Sequence, residues 1–138
     1  MKEDYVSFEV AKLLKEKGFD VSIHSVWIDH SKLVNCPAAI AIYQSAENWN
    51  TLGDELDDIY FSAPTHQMAM AWLREKGIII TMDYDEYELI SDNKKVGYRW
   101  GIQKTEKPTE YLKISIHVFD NYEEAVEDAI KYCLTNLV

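Results

Sequence analysis

The side chains most able to bind a metal ion, those of histidine, cysteine and aspartate, come close together in one stretch of the chain. His24, Asp29, His30 and Cys36 follow one another there, and imidazole, thiolate and carboxylate are the ligands that zinc prefers. Their spacing fits no zinc finger or knuckle, and a working site would need all of them in one shell with hydrogen-bond partners behind them. We therefore keep these residues only as weak candidates for a metal site, beside the alternative that the histidines bond to loop backbone.

Nucleophilic catalysis would need a cysteine or serine beside a base. Cys36 with His24 or His30 is the pairing that the sequence offers, and the alternative is that Cys36 is a small buried loop residue. Cys133 lies in a helical apolar pattern and is predicted to be a core residue. The chain has no phosphate-cradling glycine motif, no H-E-x-x-H and no G-x-S-x-G. We therefore predict no catalytic residue, no cofactor and no enzyme activity.

Carboxylates cluster at residues 54–58, 83–88 and 120–128. A hydrolase would hold two of them a few ångströms apart in a cleft that desolvates one. Asp83 and Asp85 have the spacing of a calcium loop, but the glycine and the later bidentate glutamate of such loops are missing. Solvated surface acids are therefore the favoured interpretation.

Aromatic residues accompany the second acidic cluster and the strands predicted after it. Aromatic side chains on one face of a sheet can stack on a peptide or on bases, but helices can also cover that face. We interpret Trp100 as a core residue, and the tyrosines remain open between core and surface. The candidate interaction surface consists of Asp83, Tyr84, Asp85, Glu86, Tyr87, Tyr98 and Tyr111.

The chain of 138 residues has 14 Lys and Arg against 24 Asp and Glu, a formal net charge of −10. Both parts are acidic, since residues 1–63 have 5 basic against 11 acidic residues and residues 64–138 have 9 against 13. Such a surface repels phosphate backbones and anionic lipid headgroups, so we expect neither nucleic acid nor membrane as a partner. It fits high solubility, a basic protein partner or mimicry of a nucleic acid.

The chain shows no membrane segment or signal peptide. It lacks a run of about 18 apolar residues, and residues 1–5 do not form a basic region followed by an apolar run. We therefore expect a cytoplasmic protein. A hydrophobic fraction of 47% at this length predicts a single folded domain.

Apolar residues recur with the helical period over residues 7–17, 64–76 and 121–137, which predicts three helices. The second helix is expected to bury Met68 and Trp72, with His66 at the surface or capping its first turn. The expected N-caps are Ser7 for the first helix, Ser62 or Thr65 for the second and Asp120 for the third. Gly18 and Gly77 are expected to end the first and second helices.

Alternating apolar residues predict three strands near residues 78–90, 96–103 and 112–118. Residues 20–63 show no clear period and are expected to form an irregular segment, with Ser45 as the cap of a short helix. Within it, residues 21–28 suggest a short extended piece, and residues 38–43 could form a strand or a buried helical turn. The sequence thus predicts an α+β domain. A helix and an irregular wrapping segment precede an α-β-β-β-α core whose three-stranded antiparallel meander is packed by helices. The apolar face of the third strand would consist of Leu112, Ile114, Ile116 and Val118.

Residues 6–19, 63–68, 72–75 and 122–125 are spread across most of the chain. In their sequence and their order, these segments resemble a family of small uncharacterised proteins encoded in prophages and mobile elements of gut bacteria. The resemblance implies a fold and a mobile genetic element as the setting, and it implies no chemistry.

The α-β-β-β-α order of residues 64–138 is similar to that of double-stranded-RNA-binding domains. In those domains, basic residues at the start of the last helix contact phosphates. Here that helix starts with Asp120, Glu123 and Glu124, so the resemblance implies the fold while the charge argues against RNA. Residues 122–125 after a strand also resemble antitoxin-type domains of the HicB kind, although the glycine and proline between strand and helix are missing.

We expect a non-enzymatic protein-interaction module of a mobile genetic element, with a protein partner of unknown identity, as a monomer or a homodimer. One alternative is an acidic nucleic-acid mimic or antitoxin-like inhibitor of a basic enzyme. Another is a small metal-dependent hydrolase that uses His24, His30 and Cys36. An interaction module predicts an exposed apolar or aromatic patch of several hundred Å².

Overall fold

A computed structural model describes residues 4–29, 37–55, 59–89 and 93–138. The protein is α+β, as the sequence predicts, and its strands form two three-stranded antiparallel sheets. The chain divides into two compact units. The first consists of the chain up to Met68 together with the last residue, Val138, and the second consists of Ala69–Leu137. The internal boundary thus lies within a helix instead of at residue 63, and the expectation of one domain remains a prediction.

The first unit contains a sheet in the segment 20–63 that the sequence predicts to be irregular. Its order is β2-β1-β3, so β1 is the central strand and β2 and β3 are edges. The elements of this unit are α1 (Phe8–Glu16), β1 (Ile23–Ile28), β2 (Ala39–Glu47), α2 (Trp49–Glu55) and β3 (Tyr60–Ser62).

The prediction for this segment is wrong because neither long strand has one buried and one exposed face. Four of the six residues of β1 are buried, whereas β2 is exposed along almost its whole length. Alternation appears only when one face of a strand is buried, so both strands hide their period. Ser45 lies inside β2, and the helix after it is preceded by Asn48, whose Oδ1 accepts a hydrogen bond from the Thr51 amide at 3.4 Å.

Helix α1 begins and ends as the sequence predicts. The Ser7 hydroxyl accepts a hydrogen bond from the Val10 amide at 3.2 Å, which satisfies a free N–H of the first turn. Gly18 has a φ of 87°, the left-handed conformation that glycine adopts without steric cost. Phe19 then donates its amide to the Leu14 carbonyl at 2.9 Å and is buried, so the chain folds back over the last turn.

The second unit contains the predicted meander. Its strand order is β4-β5-β6, all antiparallel, and the last helix packs against β4 and β5. The elements are α3 (His66–Glu75), which begins in the first unit, β4 (Ile78–Glu88), β5 (Lys94–Lys104), β6 (Lys113–Ile114) and α4 (Tyr122–Asn136).

The third strand of the meander is shorter than predicted. β6 spans only Lys113–Ile114, and the ladder resumes as an isolated bridge at Phe119. Between these points the chain bulges, and the Ser115 hydroxyl accepts a hydrogen bond from the Trp100 amide at 3.2 Å. Ser115 is therefore 3% exposed and Ile116 is 73% exposed, the reverse of the predicted alternation.

Helix α3 is capped at one of its two predicted positions. The Thr65 hydroxyl accepts a hydrogen bond from the Met68 amide at 3.2 Å. Trp72 is buried as predicted, but Met68 is 45% exposed and the prediction that it lies in the core is wrong. His66, expected to cap the helix or to lie at the surface, is a buried first residue whose amide donates to the Asp4 carbonyl.

Helix α4 begins one residue later than the predicted cap implies. Asn121 is the N-cap, and its Oδ1 accepts a hydrogen bond from the Glu124 amide at 2.8 Å. Asp120, the predicted cap, forms an exposed ion pair with Lys95 at 3.4 Å instead. No helix in the described part of the chain is long and apolar enough to cross a membrane. The buried face of α4 consists of Ala125, Val126, Ala129, Ile130, Cys133 and Leu134.

Replacing Asn121 by alanine is expected to lower the free energy of unfolding by about 1 kcal/mol, because the Glu124 amide loses its acceptor. Asp120→Ala is the matched control, and it should cost only a few tenths of a kcal/mol, because the carboxylate is 82% exposed. Urea denaturation of the two variants makes the comparison. Equal losses, or a larger loss for Asp120→Ala, would contradict the cap assignment.

Candidate interaction surface

The register of β4 and β5 divides the predicted interaction surface between the two faces of the second sheet. Side chains alternate along a strand, so neighbours in the sequence point to opposite sides. One face carries Asp83, Asp85 and Tyr87, opposite Arg99, Gly97 and Lys95. The other face carries Tyr84 and Glu86, opposite Tyr98 and Val96.

The face with the even-numbered residues is the one that α4 covers. Trp100 is 4% exposed, and its Nε1 donates a hydrogen bond to Asp128 Oδ2 at 2.8 Å. Its ring centroid lies 5.3 Å from that of Tyr132, and Tyr98 makes an edge contact with Tyr122 at 5.7 Å. The interpretation of Trp100 as a core residue is confirmed, and Tyr98 belongs to the same packing.

Acidic residues in the second half of β4 lie beside basic residues of β5. Glu86 pairs with Lys94 at 3.7 Å, and Asp83 lies opposite Arg99 in the sheet register. Since Asp83 and Glu86 also point to opposite faces, these carboxylates do not line up as a continuous ridge of negative charge on β4.

The face with the odd-numbered residues contains a shallow groove of about 150 Å³. The Arg99 guanidinium carbon lies 5.0 Å from the centre of the Tyr87 ring, a distance at which the ring quadrupole attracts the cation. Its Nε also donates to the Ser115 carbonyl at 2.9 Å, which fixes the side chain along the sheet. The groove is lined by Asp83, Tyr87, Arg99, Gly101, Tyr111 and Ile114.

Glycine at position 101 gives Tyr111 its place in this groove. A Cβ on Gly101 would lie 2.5 Å from Tyr111 Cε1, closer than real carbon contacts allow, so the ring rests directly on the backbone of β5. Tyr111 is nevertheless 48% exposed. The groove thus holds an aromatic ring in place while leaving much of it open to solvent.

Tyr87 is a neutral hydrogen-bonding group in this setting. Partial burial, followed by the charges of Asp83 and Asp85, raises the pKa of Tyr87, and Arg99 opposes the shift. The phenol therefore keeps its proton at physiological pH and can donate as well as accept a hydrogen bond.

The segment 111–116 exposes large apolar side chains beside the groove. Sequence periodicity predicts that its leucine and isoleucines are buried. Ile114 instead lies opposite Gly101, on the face that α4 leaves uncovered, and Ile116 follows the bulge at Ser115. No pattern in the sequence signals this, because the bulge depends on the Ser115 hydroxyl bonding across the sheet. The exposed side chains are Tyr111 at 48%, Leu112 at 49%, Ile114 at 46% and Ile116 at 73%.

No family model, curated protein or solved structure matches this chain. The resemblances to prophage-encoded proteins and to double-stranded-RNA-binding domains remain predictions.

The candidate metal ligands lie apart where the structure describes them. His24 is exposed, with Nδ1 3.1 Å from the Tyr43 carbonyl oxygen, and Asp29 follows the opposite end of β1, about 16 Å away along an extended strand. These two cannot bind the same ion, and His30 and Cys36 lie outside the described residues. Within the described ranges, no group of three or more His, Cys, Asp or Glu residues is placed to hold a metal ion.

A cavity of about 510 Å³ lies in the first unit. Asn50 at its wall is buried, and its amide already bonds to the Phe19 carbonyl and the Ser62 amide. Lys15 is directed to the Tyr60 carbonyl at 3.3 Å. Asn50 and Lys15 therefore use their polar groups in hydrogen bonds within this unit.

Cys133 is buried in α4, as the sequence predicts, and it is expected to resist alkylation in the folded protein. Burial raises the pKa of its thiol to about 12, and only the thiolate reacts. Iodoacetamide at pH 8 should therefore leave Cys133 unmodified in the folded protein and modify it in urea, as mass spectrometry of its peptide would show. Labelling at the same rate in both states would contradict the assignment.

The same pKa shift predicts a pH dependence of stability. The fold favours the protonated thiol, so this contribution is complete below about pH 8.5 and is lost as the pH rises toward 12. Cys133→Ala should remove that part of the alkaline loss, whatever it costs in packing.

Proposed function

We propose that this protein is a non-enzymatic protein-binding module and that its binding surface is the groove of the second sheet together with the segment 111–116. One observation carries the proposal: large apolar side chains are exposed at four of the six positions of this segment. Scattered exposed apolar residues are normal, but a contiguous set marks an interaction site in soluble proteins.

The groove supplies the features that fix a partner in one orientation. Tyrosine and arginine are the residues most enriched at the energetic centre of protein interfaces, and Tyr87, Arg99 and Tyr111 lie together here. The apolar segment would supply the buried area, and Asp83 with Arg99 would supply the polar contacts. A partner with apolar anchors and a matching charged rim fits this surface.

Affinity capture of a binding protein from a lysate of the host cell, with matched variants as baits, tests the proposal. Wild-type protein, Ile116→Lys and Ile42→Lys serve as baits, because both isoleucines are more than 60% exposed and both changes add one positive charge. We expect wild type and Ile42→Lys to retain the same protein, and Ile116→Lys to bind it about tenfold more weakly or worse.

Circular dichroism at low protein concentration, where association between copies does not add to stability, should give the same melting temperature for all three baits, since neither side chain packs in the core. A retained protein that binds Ile116→Lys as well as wild type would place the binding surface elsewhere. Failure of the wild-type bait to retain any protein would remove the support for a binding module. The setting in a mobile element is part of the proposal, and a partner encoded by such an element would support it.

A further inference from the structure

The free edge of β2 is long, and only the last residue of the strand, Glu47, is charged. β2 pairs with β1 on one side, and no described segment pairs with its other side. From Pro37 to Ala46 the chain has no charged residue, in a protein whose net charge is −10. Proteins normally block such edges with charges, proline or short strands, because an open edge pairs with other chains.

The other sheet edges described here are protected in these ways. β4 is an edge strand of the second sheet and carries four carboxylates at its outer end. β3 and β6 are edges of only three and two residues. The open edge of β2 is therefore an exception in this protein.

The hydrogen bonds of β1 show which residues of β2 face the open edge. The Ala63 amide bonds to the Ser25 carbonyl and the Asp29 amide to the Ile59 carbonyl, so the odd-numbered residues of β1 face β3. By alternation, the even-numbered ones face β2, where Val26 and Ile28 lie opposite Ala41 and Ala39. Ile40 and Ile42 consequently direct their backbone N–H and C=O groups outward.

From this geometry we infer that two copies of the chain associate by antiparallel pairing of their β2 strands. With Ala41 of each copy at the two-fold axis, Ile40 of one copy lies opposite Ile42 of the other, and each such pair exchanges both of its backbone hydrogen bonds. Both pairs also bring the side chains of Ile40, which is 38% exposed, and Ile42, which is 64% exposed, together on one face of the combined sheet.

A second copy fits this edge better than a foreign peptide. The edge offers no charge with which to select another chain, whereas a copy of itself matches isoleucine to isoleucine without the repulsion expected elsewhere between two acidic proteins. A strand pair buries less area than a standard interface, so we expect a dimer with a Kd on the order of 10 μM. This inference is independent of the binding surface on the second sheet.

Sedimentation velocity of the full chain over a range from about 1 to 300 μM tests the dimer. Wild type should shift from the mass of one chain to twice that mass, Ile42→Lys should remain monomeric, and Ile116→Lys should dimerise like wild type. A monomeric wild type throughout the range, or a dimer that persists in Ile42→Lys, would overturn the inference.

Disulfide crosslinking tests the register itself. In a Cys36→Ser background, Ala41→Cys places two cysteines opposite each other at the axis, where the paired Cα atoms are about 4.5 Å apart. Mild oxidation should then link the two copies. Ala39→Cys, two residues along the same strand, should stay unlinked, and equal crosslinking of both variants would overturn the proposed register.

Discussion

Trp100→Ala is expected to lower the free energy of unfolding by roughly 3–5 kcal/mol, a large part of the stability of a domain of this size. Trp100 is 4% exposed in the centre of β5, so alanine leaves a cavity between the sheet and α4. The substitution also removes the hydrogen bond that the indole Nε1 donates to Asp128 Oδ2 at 2.8 Å. Denaturant unfolding monitored by circular dichroism measures the loss.

Trp100→Phe separates packing from hydrogen bonding. Phenylalanine keeps much of the ring contact with Tyr132 but has no N–H for Asp128, so we expect a smaller loss of about 1–2 kcal/mol. A loss below 1 kcal/mol for Trp100→Ala would mean that α4 does not depend on this contact. The pair of variants therefore tests whether the indole joins the last helix to the sheet.

Asn50→Ala is expected to lower the free energy of unfolding by roughly 2–5 kcal/mol, because it removes two buried hydrogen bonds together. The side-chain amide donates to the Phe19 carbonyl at 2.9 Å and accepts from the Ser62 amide at 2.8 Å. Asn50 is 6% exposed, so water cannot easily replace either partner. The side chain thereby joins the start of α2 to the end of α1 and to β3.

Asn50→Asp is the matched control for this bridge. An aspartate has the same shape and still accepts from Ser62, but the ionised form cannot donate to the Phe19 carbonyl and repels it. Its difference in stability from wild type should therefore shrink as the pH falls toward 4 and the carboxyl becomes protonated, and grow as the pH rises. Thr51→Ala controls for a general effect of alanine on helix α2. Thr51 is an exposed neighbour of Asn50, so this substitution should change the free energy of unfolding by less than about 0.5 kcal/mol.

The helix ends were accessible from the sequence because their signals are local. Ser7, Gly18 and Gly77 lie where a cap or a left-handed residue is needed, and the structure finds Ser7 as the cap and both glycines at positive φ. The cap of α4 shows the limit of this reasoning. Asp120 and Asn121 are both good caps, and Lys95, from a different strand, pairs with one of them while the other caps the helix.

The candidate surface was harder to predict, because the side chains that form it depend on cross-strand neighbours. Tyr87 and Asp83 were found from composition and proximity. Arg99 was not, since nothing in the sequence places its guanidinium over the Tyr87 ring. The sequence also predicts Tyr84 and Tyr98 on this surface, but the register puts them on the opposite face.

By itself, the sequence determined the α+β class, the three long helices with the Ser7 cap and the glycine ends, and the order of the meander strands, because each depends on periodicity or on a residue within one turn. Only the tertiary structure decided which strands are edges and which apolar residues stay exposed. Among the described residues, β2 pairs only with β1 and so has one free edge, and Ile116 is exposed because the Ser115 hydroxyl bonds to β5. Both facts depend on contacts between residues far apart in the chain, which no local pattern encodes.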